Sequence, residues 1–299
     1  MPAHLVFKLD VSDCLHDCLI SMVKYGMEDI PDDRVHGYKH LLGIYEDRMS
    51  TIYTSRTEEL SSRFKEHNYI ATKANQSLPG QDLIFYKAHQ LVVLGLYFHL
   101  GIKHAHWEAF NRLAQAACRA ADEINAFIQE DMKNALRLPI IMVWTLLYAG
   151  TGLLRLLRSP LATSFDVQHL ETRMYAVIAA MDQLSRRDNK MTARLTLMMT
   201  QLVNSKRAFR TATGEPDTNL RIRTRLNASS VFDFSQRWRE EFESPEKVPP
   251  RAMYLESANG GVAGTAEPQG TGEDDLGWMF LDFDIPLDMG LAQESSVVL

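Results

Sequence analysis

The chain has 299 residues, 45% of them hydrophobic and 23% charged, which is enough for one large helical domain or two small ones with a sizeable core. The net charge of −6 is mild and gains meaning only when divided along the chain. Three cysteines, Cys14, Cys18 and Cys118, argue against a disulfide scaffold and fit a reducing compartment.

Met1 is followed by Pro2, Ala3 and His4, without a basic start or a long apolar run, so no secretory signal is expected. That fits the cytosol or the nucleus. The first helix carries Cys14 and Cys18 and ends before Ile30-Pro31-Asp32-Asp33. A second apolar stripe follows: Tyr38, Leu41, Leu42, Tyr45, Met49, Ile52 and Tyr53, extending to Leu60 and Phe64. The break at Ser77-Leu78-Pro79-Gly80-Gln81-Asp82 leads into Leu83 to Leu100, which is apolar nearly all round. A helix of that kind belongs in the middle of a domain.

Next comes the clearest amphipathic stripe: Trp107, Phe110, Leu113, Ala114, Ala117, Ala121, Ile124, Phe127 and Ile128. Its small alanines predict a close helix neighbour. Leu138 to Leu157 is again apolar nearly all round; its core, Pro139 to Leu154, lies between Arg137 and Arg155. It falls short of the ~20 apolar residues of a membrane span and contains Thr145, Thr151 and two glycines, so a buried central helix is expected. Ser159-Pro160 closes it. Two further stripes follow, Val167, Leu170, Met174, Val177, Ile178, Met181 and Leu184, then Met191, Leu195, Met198 and Leu202, with Gly214-Glu215-Pro216-Asp217 after them. Arg221 to Leu226 alternates briefly and reads as a strand or as a helix start. No repeat and no extended heptad stands out. The expected class is all-α: a multi-helix regulatory domain with two buried central helices, followed by a disordered acidic tail.

Residues that could carry chemistry are few. Cys14 and Cys18, four apart, share a helix face and could grip one zinc, but a structural site needs four ligands; the alternative is two small apolar side chains in a core. His99, His104 and His106 lack the spacing of a ligand pair and fit a helix end. Asp32-Asp33 lacks the further carboxylate of a magnesium site and reads as a helix start. No nucleophile elbow, phosphate loop or dinucleotide fingerprint occurs. Arg186-Arg187, Lys206-Arg207 with Arg210, and Arg221, Arg223 and Arg225 are basic groups too scattered to read DNA by themselves. The chain is therefore expected to be no enzyme, with no catalytic residue, metal or cofactor.

The composition changes after Arg251. From Ala252 to Leu299 there are nine acids and no Lys, Arg or His, so the rest of the chain carries +3. The expected organisation is a helical body over 1–243, a flexible linker over 244–272 and an acidic-aromatic tail over 273–299. In the tail, Leu276, Trp278, Phe280, Leu281, Phe283 and Ile285 alternate with acids, the composition of amphipathic disordered activation segments. Carboxylate repulsion keeps the aromatics in solvent until a partner's groove buries them. Thr271 with Asp274 has the spacing of a helix-capping pair, Leu276, Phe280 and Phe283 fall on one helical face, and Pro286 ends the helix. The other reading is that Trp278, Phe280 and Phe283 dock back onto the chain's own body.

Body and tail together resemble the C-terminal half of fungal zinc-cluster transcription factors. Leu91 to Phe98 resembles the apolar helix of that family's middle homology region, and Ala116 to Ile124 its small-residue helix with a Cys and paired alanines. Pro139 to Gly150 resembles its later buried helix with an Ala-Gly pair, and Leu184-Ser185-Arg186 with Met191 to Leu202 its closing helices. The likeness covers roughly residues 10 to 210. The family's six-cysteine zinc cluster, basic linker and dimerising coil have no counterpart here, so direct DNA binding in the family's manner is not expected. The resemblance implies a nuclear transcription regulator: a body that inhibits or senses an inducer, and a tail that recruits transcriptional coactivator machinery, with the DNA reader supplied by a DNA-binding partner or by a part of the protein beyond this chain. An inducer pocket near Trp144 and Tyr148 and plain core packing are both open readings there. The alternatives are an all-α interaction or scaffold protein outside transcription and a helical enzyme of unrecognised type.

Overall fold

The structure, a computed structural model, describes residues 3–25, 30, 32–66, 80–100, 107–130, 139–185, 190–211, 213–217, 220 and 229–242. Among them are eight α-helices and no strand: α1 (Ala3–Tyr25), α2 (Val35–Glu66), α3 (Gly80–Gly95), α4 (Trp107–Glu130), α5 (Pro139–Leu157), α6 (Val167–Ser185), α7 (Lys190–Asn204) and α8 (Ser229–Phe242). The all-α expectation holds for this part. All eight helices belong to one compact unit, Met1–Val248. The linker and tail expected over 244–299 lie outside the described residues, as do Arg186, Arg187 and the alternating segment Arg221 to Leu226.

Helix α5 is the hub. It packs against α3, α4, α6, α7 and α8, while α1 and α2 join the bundle through α3. Its buried residues point in every direction: Met142, Val143, Leu146, Leu147, Ala149, Leu153, Leu154 and Leu156 are all within 1% of complete burial. Thr145 and Thr151 are tolerated there because each hydroxyl donates back to a carbonyl of its own helix, Ile141 O at 2.7 Å and Tyr148 O at 3.2 Å. The Gly80–Leu100 and Ile140–Leu157 segments are long and apolar enough to cross a membrane, and 72% of each is buried inside the protein. Both are the core helices that the sequence predicts. Ser159 ends α5 as expected, its hydroxyl donating to Leu156 O and accepting from Leu161 N–H.

One glycine decides how closely α5 meets its neighbours. A Cβ built on Gly150 would stand 2.8 Å from Met199 Cε and 3.2 Å from Val177 Cγ1. The bare backbone therefore lets α6 and α7 close onto α5. The alanines of α4 do the same work on another side, with Ala109, Ala114, Ala116, Ala117, Ala120 and Ala121 all buried.

The predicted stripes hold with local exceptions. In α6, Leu170, Met174, Val177, Met181 and Leu184 are buried, but Val167 at the helix start is 37% exposed. In α4, Trp107 is 40% exposed and stacks on Phe165 with ring centroids 4.5 Å apart. In α2, Tyr38, Leu42 and Met49 are buried, and Leu41, Tyr45, Ile52, Tyr53 and Leu60 half-buried. Asp32–Arg34 forms a single 3-10 turn leading directly into α2. No stripe in the sequence reading corresponds to α8, yet Val231, Phe232, Phe234 and Trp238 are buried on it.

Candidate functional site

The most concentrated polar chemistry among the described residues is at the junction of α5, α8 and the segment 205–217. Arg155 emerges from the apolar helix α5 and is completely buried. The sequence reading placed it as a flank of the central segment. The structure places it within the core, because α8 brings an acid to meet it. Arg155 Nη2 donates to Asp233 Oδ2, and Arg237 Nε donates to the same oxygen at 2.7 Å. Arg237 Nη1 also reaches Asp217 Oδ2 at 3.4 Å.

Two arginines thus face two aspartates, and the set is formally neutral. Burial pushes the Arg155 guanidinium below its usual range, and the Asp233 carboxylate opposes that shift. Aromatic faces complete the cage. The Arg155 guanidinium carbon lies 5.5 Å from the Phe98 ring centroid and 5.4 Å from that of Phe209, and Arg237 lies 4.6 Å from Phe209. Phe209 has a φ of +61°, the left-handed region that bulky side chains avoid. Its carbonyl accepts from Asp217 N–H at 2.7 Å, so one short loop delivers both the ring and the second carboxylate.

The same loop is fastened at other points. Ser205 Oγ accepts from Arg207 N–H and Ala208 N–H and donates to Glu241 of α8 at 2.6 Å. Trp238 Nε1 donates to Gln201 of α7 at 2.6 Å, and Arg158 donates to the Val203 and Ser205 carbonyls. These bonds hold α8 against α5 and α7. With Arg155, Asp233 and Arg237 buried and paired to one another, the cluster positions a helix.

A surface cleft of about 310 Å³ lies between α4 and the start of α6, lined among others by Cys118, Arg119 and Asp122 and by Asp166 and His169. Asp166 Oδ1 accepts from His169 N–H at 3.0 Å and so caps α6. Arg173 bridges to Asp122 at 2.6 Å, tying α6 to α4 beside the cleft. Burial pushes the Cys118 thiol up to about 11, so it stays protonated at neutral pH and is a poor nucleophile.

The remaining sequence candidates take structural places. Cys14 and Cys18 are buried on the face of α1 toward α2 and α3; Cys14 Sγ donates to Tyr45 O at 3.9 Å, and burial pushes Cys18 up to about 12. Among the described residues no three His, Cys, Asp or Glu side chains converge as a metal site would require. His99 is buried in the 3-10 segment Leu96–Leu100; His104 and His106 lie outside the described residues. Trp144 and Tyr148 lie 6.2 Å apart, and Tyr148 packs onto the core formed by Phe7, Val11, Tyr86 and Val92. The tail candidates Leu276, Trp278, Phe280, Leu281, Phe283 and Ile285 lie outside the described residues.

A second polar set was also missed. Glu46 of α2 receives Tyr97 Oη at 2.6 Å and both Arg112 Nε at 2.7 Å and Nη2 at 3.0 Å. It joins α2, α4 and the 3-10 segment between them. For the buried cluster the sequence did hold a signal: an arginine at the end of an all-apolar helix needs a buried partner, and Asp233 with Arg237 has the spacing of one helix face. No protein-family profile, curated protein or solved structure matches this chain.

Proposed function

We propose that this chain is the regulatory and activating portion of a transcription regulator of the fungal zinc-cluster type, acting in the nucleus. One observation carries the reading: the segment Glu273 to Asp288, in which eight large apolar side chains are interspersed with acids, within a stretch that has no basic residue from Ala252 onward. The residues that carry the family likeness support it in their order, from Leu91 to Leu202, ahead of that tail. In this reading a coactivator groove buries Trp278, Phe280 and Phe283. Each would supply about 1.5–3 kcal/mol, less the cost of ordering the segment. The helical body holds the tail in check or answers an inducer.

The test is a tethering assay. Residues 252–299 fused to an unrelated DNA-binding domain should drive a reporter, and Trp278→Ala with Phe280→Ala and Phe283→Ala should abolish that activity. A silent tail, or a triple variant as active as the parent, overturns the proposal.

A further inference from the structure

Helix α1 is apolar on two opposite faces. Phe7, Val11, Cys14, Leu15, Cys18 and Met22 are buried toward α2 and α3. Opposite them, Leu5, Leu9, Ile20 and Val23 are 45%, 50%, 40% and 56% exposed, with His16 exposed between them. Ser12 completes the stripe at positions 5, 9, 12, 16, 20 and 23, spaced three and four apart as one helix face requires. This is four of the large apolar side chains that the described residues leave most exposed, gathered on a single helix. Ile44 of α2, one turn before the Arg48 that bridges to Asp17 of α1 at 2.8 Å, is 48% exposed as well. Scattered exposed apolar residues need no explanation, but two apolar pairs in register on one helix face, on either side of Ser12 and His16, do.

The geometry points to a second copy of this chain, packed antiparallel through α1, as the occupant. The stripe reads nearly the same from either end. Laid against itself in reverse, Leu5 meets Val23 of the second copy, Leu9 meets Ile20, and Ser12 meets His16. A two-fold axis near position 14 repeats each contact, the self-complementarity that an isologous dimer needs. Charge agrees at the axis. Asp13, exposed beside the stripe, comes next to His16 of the second copy, giving two symmetric acid–imidazole contacts. Asp10, Asp13 and Asp17 flank the stripe, which sets it against an acidic peptide or an anionic lipid surface. From Leu5 to Val23 the stripe runs about 27 Å and is about 10 Å wide. That is less than the roughly 800 Å² per partner of a stable complex, so the dimer should be reversible at micromolar concentration. This surface does not depend on what the tail recruits.

Sedimentation velocity on the full chain, from roughly 1 to 200 μM, tests it. The expected result is a monomer–dimer equilibrium that Leu9→Glu and Ile20→Glu each shift at least tenfold toward monomer, with unchanged helicity by circular dichroism. Leu197→Glu, at an exposed apolar position on α7, should leave the dimer intact. His16→Asp alone should weaken it, and His16→Asp with Asp13→His should restore it. Monomer at every concentration overturns the proposal. So does a dimer indifferent to Leu9→Glu, one equally sensitive to Leu197→Glu, or a charge swap that fails to rescue. Flotation of the protein with anionic vesicles, lost in Leu9→Glu, would assign the stripe to a membrane surface instead.

Discussion

Around α5, beyond Ile140 at its start, nearly every direction is filled, by α3, α4, α6, α7 and α8. Around α1, among the described residues, the side toward α2 and α3 is filled, and the opposite side presents Leu5, Leu9, Ile20 and Val23 to solvent. In sequence both helices depart from a simple one-sided amphipathic pattern, and the departures have different causes. Helix α5 is apolar all round because it is the hub, and its one charge, Arg155, is there because α8 supplies a carboxylate. Helix α1 has two separate apolar faces divided by Asp10, Asp13 and Asp17 on one flank and Lys8 on the other. A pattern without a gap marks a helix enclosed by its own fold, whereas two stripes with charged borders mark one helix serving two surfaces.

The largest expected effect tests how completely α5 depends on its neighbours. Asp233→Asn removes the carboxylate shared by two buried guanidiniums and leaves the set, with Asp217 its one remaining acid, carrying a net positive charge in the core. The loss should be about 3–5 kcal/mol of unfolding free energy, read by denaturant titration. Replacing the three buried members together, Arg155→Met with Asp233→Leu and Arg237→Met, removes the buried charges along with their need for partners, leaves only the part-exposed Asp217, and should recover most of that loss. If Asp233→Asn alone is neutral, the cluster is not what holds α8 in place.

The legible and illegible parts of this fold divide along the same line. Periodicity revealed α2, α4, α6 and α7, since each has one buried face and its apolar residues fall three and four apart. Length and unbroken apolarity revealed α3 and α5. Helix α8 escaped because Ser229 to Phe242 mixes Asp233, Arg237, Arg239, Glu240 and Glu241 with its aromatics, and two of those charges are buried. Their burial depends on Arg155, 78 residues earlier in the chain, and no local pattern contains that fact. Glu46, meeting Arg112 66 residues later, was hidden for the same reason. Cys14 and Cys18 suggested a zinc site by spacing alone, yet either reading required knowing what faced them. The cleft beside Cys118 depends on how α4 meets α6, a tertiary relation that neither stripe encodes.

A smaller effect is expected at the closest approach to the hub. Gly150→Val puts a branched side chain where even a Cβ lies 2.8 Å from Met199 and 3.2 Å from Val177. Met199 can swing its terminal methyl aside, but Val177 is stiff at χ1, so α6 must shift. The net loss should be about 1–3 kcal/mol, and Met199→Ala in the same chain should relieve part of it. A full-strength Gly150→Val protein would mean that α6 is not seated on α5 as closely as Val177 implies.

The smallest effect belongs to the outer face of α1. Val23 is 56% exposed and lies one residue from Met22, which is fully buried. Val23→Ser alters a side chain that is more than half exposed and changes helix propensity little. Measured at concentrations where the chain is monomeric, it should alter unfolding free energy by no more than about 0.5 kcal/mol. Measured where copies associate, it should lower the apparent stability further, because the folded dimer draws the unfolding equilibrium toward the native state by mass action. The dependence of that difference on protein concentration is therefore the informative quantity. A loss that is large and the same at every concentration would show that Val23 is part of the monomer's own core, and the contrast between an enclosed α5 and a two-faced α1 would fail.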